Sequence, residues 1–235
     1  MTPRKYLVID DNLEFAENVA EILTDAGAEV SLAAEAKSAL EQLKATRFDG
    51  VVTDMKMPGP SGADLLRELR AFDPGVPVVL LSAWAQNEQV EEAKRLGLLA
   101  FLSKASPTAQ LVELLQHARR DAMVVLVDDD RALTENLAEV LGGHGFTVCT
   151  AASLDELERL HVKPFAALVD FWVPGSSDGA ALERVRQLFP DTPMLVVTAC
   201  REFEARGGEE IFRKPFDTAR LVARLEALAP KAGAA

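Results

Sequence analysis

The sequence predicts an α/β protein built from two doubly wound parallel sheets in tandem, and three observations carry that prediction. The chain repeats itself once. Tyr6-Leu7-Val8-Ile9-Asp10-Asp11-Asn12 returns as Val124-Val125-Leu126-Val127-Asp128-Asp129-Asp130, Val51-Val52-Thr53-Asp54 as Ala167-Leu168-Val169-Asp170, and Pro77–Ser82 as Pro193–Thr198. Order is kept while the offset drifts from 118 residues at Asp10/Asp128 to 110 at Lys104/Lys214, so a whole domain has been duplicated with small deletions. Within each half, short runs rich in Val, Leu and Ile alternate with segments of helical period. Runs that are apolar throughout suit strands buried on both faces of a parallel sheet.

The elements follow in order. Strands are predicted near 5–9, 29–33, 49–53, 77–81 and 99–102, and again near 123–127, 146–150, 165–169, 193–197 and 210–212. Phe15, Val19, Ile22 and Leu23 fall on one face of a first helix, which Gly27 should stop. Leu111, Leu114, Leu115 and Ala118 mark the helix that ends the first half, with helical pattern reaching about Arg120. Five βα units per half place helices on both sides of each sheet. The domains are 1–121 and 122–235, with almost no linker and so a narrow range of orientations. Thr198 to Lys214 is six residues shorter than Ser82 to Lys104, and Gly207-Gly208 interrupts it, so the fourth helix of the second half should be short or absent.

Composition excludes several classes. The net charge is −12, shared equally: 13 Lys/Arg against 19 Asp/Glu in residues 1–121, and 12 against 18 in the rest. Neither half has the basic surface that nucleic-acid binding requires. No apolar run reaches the roughly 18 residues of a membrane span, and Met1–Lys5 lacks a signal peptide's apolar core, so a cytoplasmic location is expected. Cys149 and Cys200 are too few and too far apart for a thiolate metal site or a disulfide framework, and read as small buried hydrophobes. There is no glycine-rich nucleotide motif, and His117, His144 and His161 lie away from the predicted strand ends.

What does gather at the strand ends is acidic. Asp10-Asp11, Asp54, Ser82 and Lys104 each follow or close a predicted strand, as do Asp128-Asp129, Asp170, Thr198 and Lys214. In open α/β sheets, functional groups collect beyond the carboxyl ends of the strands. Three clustered carboxylates repel unless a cation neutralises them, and hard oxygen ligands without His or Cys suit Mg²⁺. A lysine and a hydroxyl beside them can hold phosphoryl oxygens, and an aspartate can act as nucleophile to form an acyl phosphate.

This constellation resembles the receiver domains of bacterial response regulators, chemotaxis regulators among them, over essentially all of both halves. The resemblance implies a flavodoxin-like strand order. It implies that Asp54 and Asp170 accept phosphate from a phosphohistidine on a sensor histidine kinase or a histidine phosphotransfer protein. It further implies that Asp11 and Asp129 bind Mg²⁺ directly and Asp10 and Asp128 mainly through water. The carbonyls of Lys56 and Trp172 would complete each metal site, with Ser82/Lys104 and Thr198/Lys214 binding the phosphoryl group. No metabolic activity is expected beyond this transfer and its reversal by hydrolysis, and no DNA-binding output. The favoured role is a regulator that contacts a downstream signalling protein. A phosphate sink or relay, or the receiver portion of a hybrid kinase or nucleotide cyclase, are the alternatives.

The halves also depart from the family pattern. Phe101 takes the place of its switchable aromatic, and the second half has Ile211 there, with Phe212 facing the opposite side of the strand. Lys214-Pro215 matches a Lys-Pro pair that is typically cis, whereas Lys104-Ala105 should be trans. The residues two past each acceptor and each hydroxyl are Lys56 and Trp84 in the first half and Trp172 and Cys200 in the second. Trp172 could keep water from Asp170, giving its phosphate the longer life.

Overall fold

The computed structural model describes residues 2–83, 88–174, 179–200 and 210–229. In the first half the elements are β1 (Lys5–Ile9), α1 (Leu13–Asp25), β2 (Glu29–Ala33), α2 (Ala36–Ala45), β3 (Gly50–Asp54), α3 (Gly62–Phe72), β4 (Val78–Ser82), α4 (Glu88–Leu96), β5 (Ala100–Ser103) and α5 (Thr108–His117). In the second they are β6 (Met123–Val127), α6 (Arg131–Gly143), β7 (Thr147–Ala151), α7 (Leu154–Glu158), β8 (Ala166–Val169), α8 (Ala180–Leu188), β9 (Met194–Thr198), β10 (Glu210–Arg213) and α9 (Thr218–Leu228). The two sheets run β2-β1-β3-β4-β5 and β7-β6-β8-β9-β10, parallel throughout. The flavodoxin-like order is therefore present twice.

Each sheet is covered on both faces because successive strand side chains point to opposite sides. Leu7 and Ile9 join the core beneath α2, α3 and α4, while Tyr6 and Val8 join the core beneath α1 and α5. In the second half Val124 and Leu126 share a core with Leu137 of α6 and Leu221 of α9, and Val125 and Val127 share one with Leu157 and Val185. The central strands β3, β4, β6 and β8 are buried along their whole lengths.

Helix starts are set by local chemistry. Asn12 Oδ1 accepts the Phe15 N–H at 3.1 Å to cap α1, and Asp130 Oδ1 accepts the Leu133 N–H at 3.1 Å to cap α6. Ser61 and Asp64 form a reciprocal capping box at α3. Gly27, just past α1, takes φ 91°, a left-handed turn that glycine adopts without strain.

Two expectations need correction. α5 stops at His117, not near Arg120, because Ala118 is already extended and the chain turns to pack against Gly145. Cys149 is buried as expected, but Cys200 is only half-buried, beyond the end of β9. The expected shortening of the fourth helix of the second half falls on residues 201–209, outside the described residues. Lys214–Pro215 is cis and Lys104–Ala105 is not. Phe212 and Ile211 enter opposite cores, as the strand's alternation requires.

Candidate phosphoryl-acceptor sites

At each half, the carboxyl ends of the three central strands place their side chains around one point. β1 and β3 pair in register through Ile9 and Thr53, so Asp10 and Asp54 emerge side by side. β4 and β5 pair through Ser82 and Ser103, and the Lys104 N–H donates to the Ser82 carbonyl at 2.9 Å, which fixes the two residues side by side at the strand ends. The second half repeats this with the Lys214 N–H on Thr198 O at 2.9 Å. α3 can start close behind the acceptor because Gly62 has no β-carbon; one there would overlap Asp54 O.

Lys104 Nζ lies 2.7 Å from Asp10 Oδ2 and 2.7 Å from Asp54 Oδ2. Lys214 Nζ lies 2.6 Å from Asp128 Oδ2 and 2.7 Å from Asp170 Oδ2. The acidic pairs are buried, whereas Asp11 and Asp129 are exposed at the rim. Asp10 Oδ1 accepts the Asn12 N–H and Asp128 Oδ1 the Asp130 N–H, each at 3.0 Å. Thus the third residue of each Asp-Asp-Asn/Asp run caps the following helix, and the first two are left for the site.

Burial pushes the Asp10 carboxyl above the ordinary carboxylate range, against the pull of the Lys104 ammonium and the Asn12 N–H. Burial does the same at Asp128, opposed by Lys214 and the Asp130 N–H. Burial alone would depress Lys104 and Lys214, but the paired carboxylates win and hold both lysines above the usual lysine value. Each site thus holds carboxylates whose desolvation one ammonium offsets incompletely.

The donor set suits a hard divalent cation. In each half three carboxylates place oxygens within 4.8 Å of one another, with no sulfur or imidazole among them. Asp10 Oδ2 is buried and has no partner besides the ammonium. Oxygen-only sites open on one side fit Mg²⁺, which keeps several waters. Ser82 and Thr198 are buried at the ends of β4 and β9. Lys56 is exposed, and Trp172 is 52% exposed, with its backbone N–H donating to Asp170 Oδ1 at 3.1 Å and its ring edge-on to Phe171. One contact was not read from the sequence: Lys104 Nζ sits 4.9 Å above the Phe15 ring. Phe15 fits the helical period of α1 like any core residue, and only the fold shows that it reaches the site.

The response regulator receiver domain model matches this chain twice, over residues 6–116 and 124–226. The chain belongs to the response regulator receiver family. Both halves are therefore receiver domains of two-component signalling, in tandem. A response regulator receiver protein of Anaeromyxobacter sp. strain Fw109-5 is 47% identical over 226 residues, which is 96% of this chain and 95% of that protein. Chemotaxis protein CheY-3 of Vibrio cholerae is 37% identical over 114 residues, 47% of this chain and 88% of its own. Among solved structures, the receiver domain of the sensor histidine kinase PA1611 of Pseudomonas aeruginosa PAO1 matches with 26% identity and a TM-score of 0.46, covering 49% of this chain and 96% of that one; it holds a magnesium ion in its active-site cleft. Among the described residues, no helix of these receiver domains is long and apolar enough to cross a membrane.

Proposed function

We propose that both receiver domains accept a phosphoryl group, on Asp54 and on Asp170, from a phosphohistidine of a sensor histidine kinase or histidine phosphotransfer protein. One observation carries this reading: at each site a single lysine ammonium bridges two buried aspartates, with a third aspartate exposed beside them. An Asp54 carboxylate oxygen attacks phosphorus, the phosphorus–nitrogen bond of the donor breaks, and the departing imidazole nitrogen keeps the electron pair and takes a proton. Lys104 then moves from the carboxylate to a phosphoryl oxygen, and Ser82 hydrogen-bonds another; Lys214 and Thr198 do so at Asp170. Asp11 and Asp129 would hold Mg²⁺ directly, Asp10 and Asp128 through water, and the Lys56 and Trp172 carbonyls would complete the shell. Bound there, the cation neutralises charge that develops on the transferred group.

Output runs through protein contacts in the cytoplasm. The net charge of −12 and its even division support this over nucleic-acid binding. The chain is a stoichiometric regulator whose only chemistry is taking up and hydrolysing phosphate. Trp172, a broad apolar side chain two residues past the acceptor, slows water's in-line approach to Asp170 phosphate. Intact-mass analysis after treatment with acetyl phosphate and Mg²⁺ tests the reading. Wild type should gain two phosphoryl groups, and Asp54→Ala and Asp170→Ala one each, with the Asp170 phosphate outlasting the Asp54 phosphate. A wild type that gains none overturns it.

A further inference from the structure

The two sheets meet edge to edge. Leu98, leading into β5, forms an antiparallel bridge with Val148 of β7: the Leu98 N–H donates to Val148 O at 3.2 Å and the Val148 N–H to Leu98 O at 3.0 Å. Cys149 Sγ reaches Arg95 O at 2.5 Å, Lys94 pairs with Glu135 at 3.7 Å, and Arg95 with Glu156 at 4.0 Å. The last turn of α6 lies on Leu99, an approach possible only because residue 142 is glycine; a β-carbon there would overlap Leu99 O. α1 and α6 are both thirteen residues long, and α1 has Thr24 where α6 has Gly142. The first domain's helix could not accept a neighbour in this way, so the contact is built into this one junction. Beside it runs a cleft of about 620 Å³, with Phe101, Gln110, Arg131, Ala138, Thr150 and Asp128 of the second site on its walls.

Both sites lie one element from this contact. Lys104 follows β5 directly and sits between the oxygens that a cation would take. A cation in the first site would compete with this ammonium, at the end of the strand that Leu98, bonded to β7, leads into. On the other side, Asp128–Asp130 lead into α6, and a cation on Asp128 displaces Lys214. Packed interfaces shift between discrete arrangements more readily than they deform.

We infer that the contact of α4 and β5 with β7 and α6 couples the two acidic sites, so that occupancy of one changes the divalent-cation affinity of the other. The inference rests on reading both sites as Mg²⁺-dependent phosphoryl acceptors. The chain has two tryptophans, so Trp84→Phe leaves Trp172, whose backbone N–H donates to Asp170 Oδ1, as the sole reporter. Mg²⁺ titrations followed by its fluorescence would compare Trp84→Phe with Trp84→Phe/Asp54→Ala, in which the first site lacks a ligand. The second-site Kd should differ about fivefold or more between them, the lower end of typical site-to-site coupling. Adding Gly142→Ala, or Ala138→Arg to wedge the cleft should the first variant fold poorly, should bring the two Kd values within about twofold. Equal Kd values in the starting pair overturn the coupling while leaving the acceptor reading intact. A second site that never responds to Mg²⁺ overturns that reading, and the coupling with it.

Discussion

At the scale of single residues, the buried aspartates set how these domains respond to pH and to metal. The folded chain holds protons on Asp10 and Asp128 more tightly than the unfolded chain, because burial raises both carboxyls above 3.8. Their contribution favours folding below that value and is lost as pH rises through the raised folded-state pKa. Lys104 and Lys214 also gain in the folded chain, so their contribution is complete below 10.5 and lost as pH climbs through their raised values. At neutral pH the lysines therefore stabilise and the two aspartates oppose. Asp10→Asn, which can still accept the Asn12 N–H, should raise metal-free stability. Wild type should gain about 2.7 kcal/mol per site from Mg²⁺ at a hundredfold its Kd; Asp10→Asn should lose that gain at one site, and acidifying to about pH 4, near the unperturbed carboxylate value, should abolish it at both. Thermal melts with and without Mg²⁺ measure all three. The sequence already placed these aspartates, the hydroxyls and the lysines, since each sits at a strand end where the side chain has one place to go. Phe15 beneath Lys104 left no such trace, because a core-facing aromatic and a site-facing one have the same spacing along a helix.

Among the elements, strands were readable to within a residue, since an apolar run ends where its burial ends. Helix ends were less so: α5 breaks at His117 because of where the second domain lies, and nothing in Ala118-Arg119-Arg120 marks a stop. Arg70 was invisible for a similar reason. On a charged helix it reads as solvent-facing, yet it is buried and donates to Leu96 O at 3.1 Å, Pro74 O at 3.1 Å, Val76 O at 2.7 Å and Gly97 O at 2.7 Å. One guanidinium thus ties the end of α3, the entry to β4 and the end of α4, and it fixes the carbonyls just before Leu98 meets the second domain. Burial pulls it down to about 10, still charged at neutral pH. Arg70→Met keeps the stem and removes four hydrogen bonds to carbonyls, which should cost about 3 kcal/mol or more in urea unfolding. Arg67→Met, on the same helix with exposed partners Asp64 and Glu92, should cost less than about 1 kcal/mol.

For the molecule as a whole, a duplicated domain says nothing about how its copies sit, because each edge and helix face exists in both halves. What selects the arrangement is a few departures from the repeat: Gly142 where α1 has Thr24, and the short segment between α5 and β6. That segment is fastened on both sides. Arg120 Nη2 bonds both Asp73 oxygens, at 2.6 and 2.8 Å, and Nη1 donates to Phe48 O, all in the first domain. Its neighbour Arg119 turns to the second, stacking on Phe146 at 5.1 Å and pairing with Glu226 at 3.2 Å. Adjacent arginines held by opposite domains leave little chain to act as a hinge, and a joint this tight should make the two domains unfold together. Calorimetry should then show one transition for wild type. Arg120 and Asp73 are mostly buried, so Arg120→Ala strands a partly desolvated carboxylate and should cost about 2–4 kcal/mol. Arg119 and Glu226 are each about 40% exposed, so Arg119→Ala should cost under about 1 kcal/mol. If the linker transmits stability, Arg120→Ala should lower the whole transition or split it in two, and Arg119→Ala should leave it whole. Two separate wild-type transitions, only the first of them moved by Arg120→Ala, would mean that the domains fold independently and that the linker merely joins them.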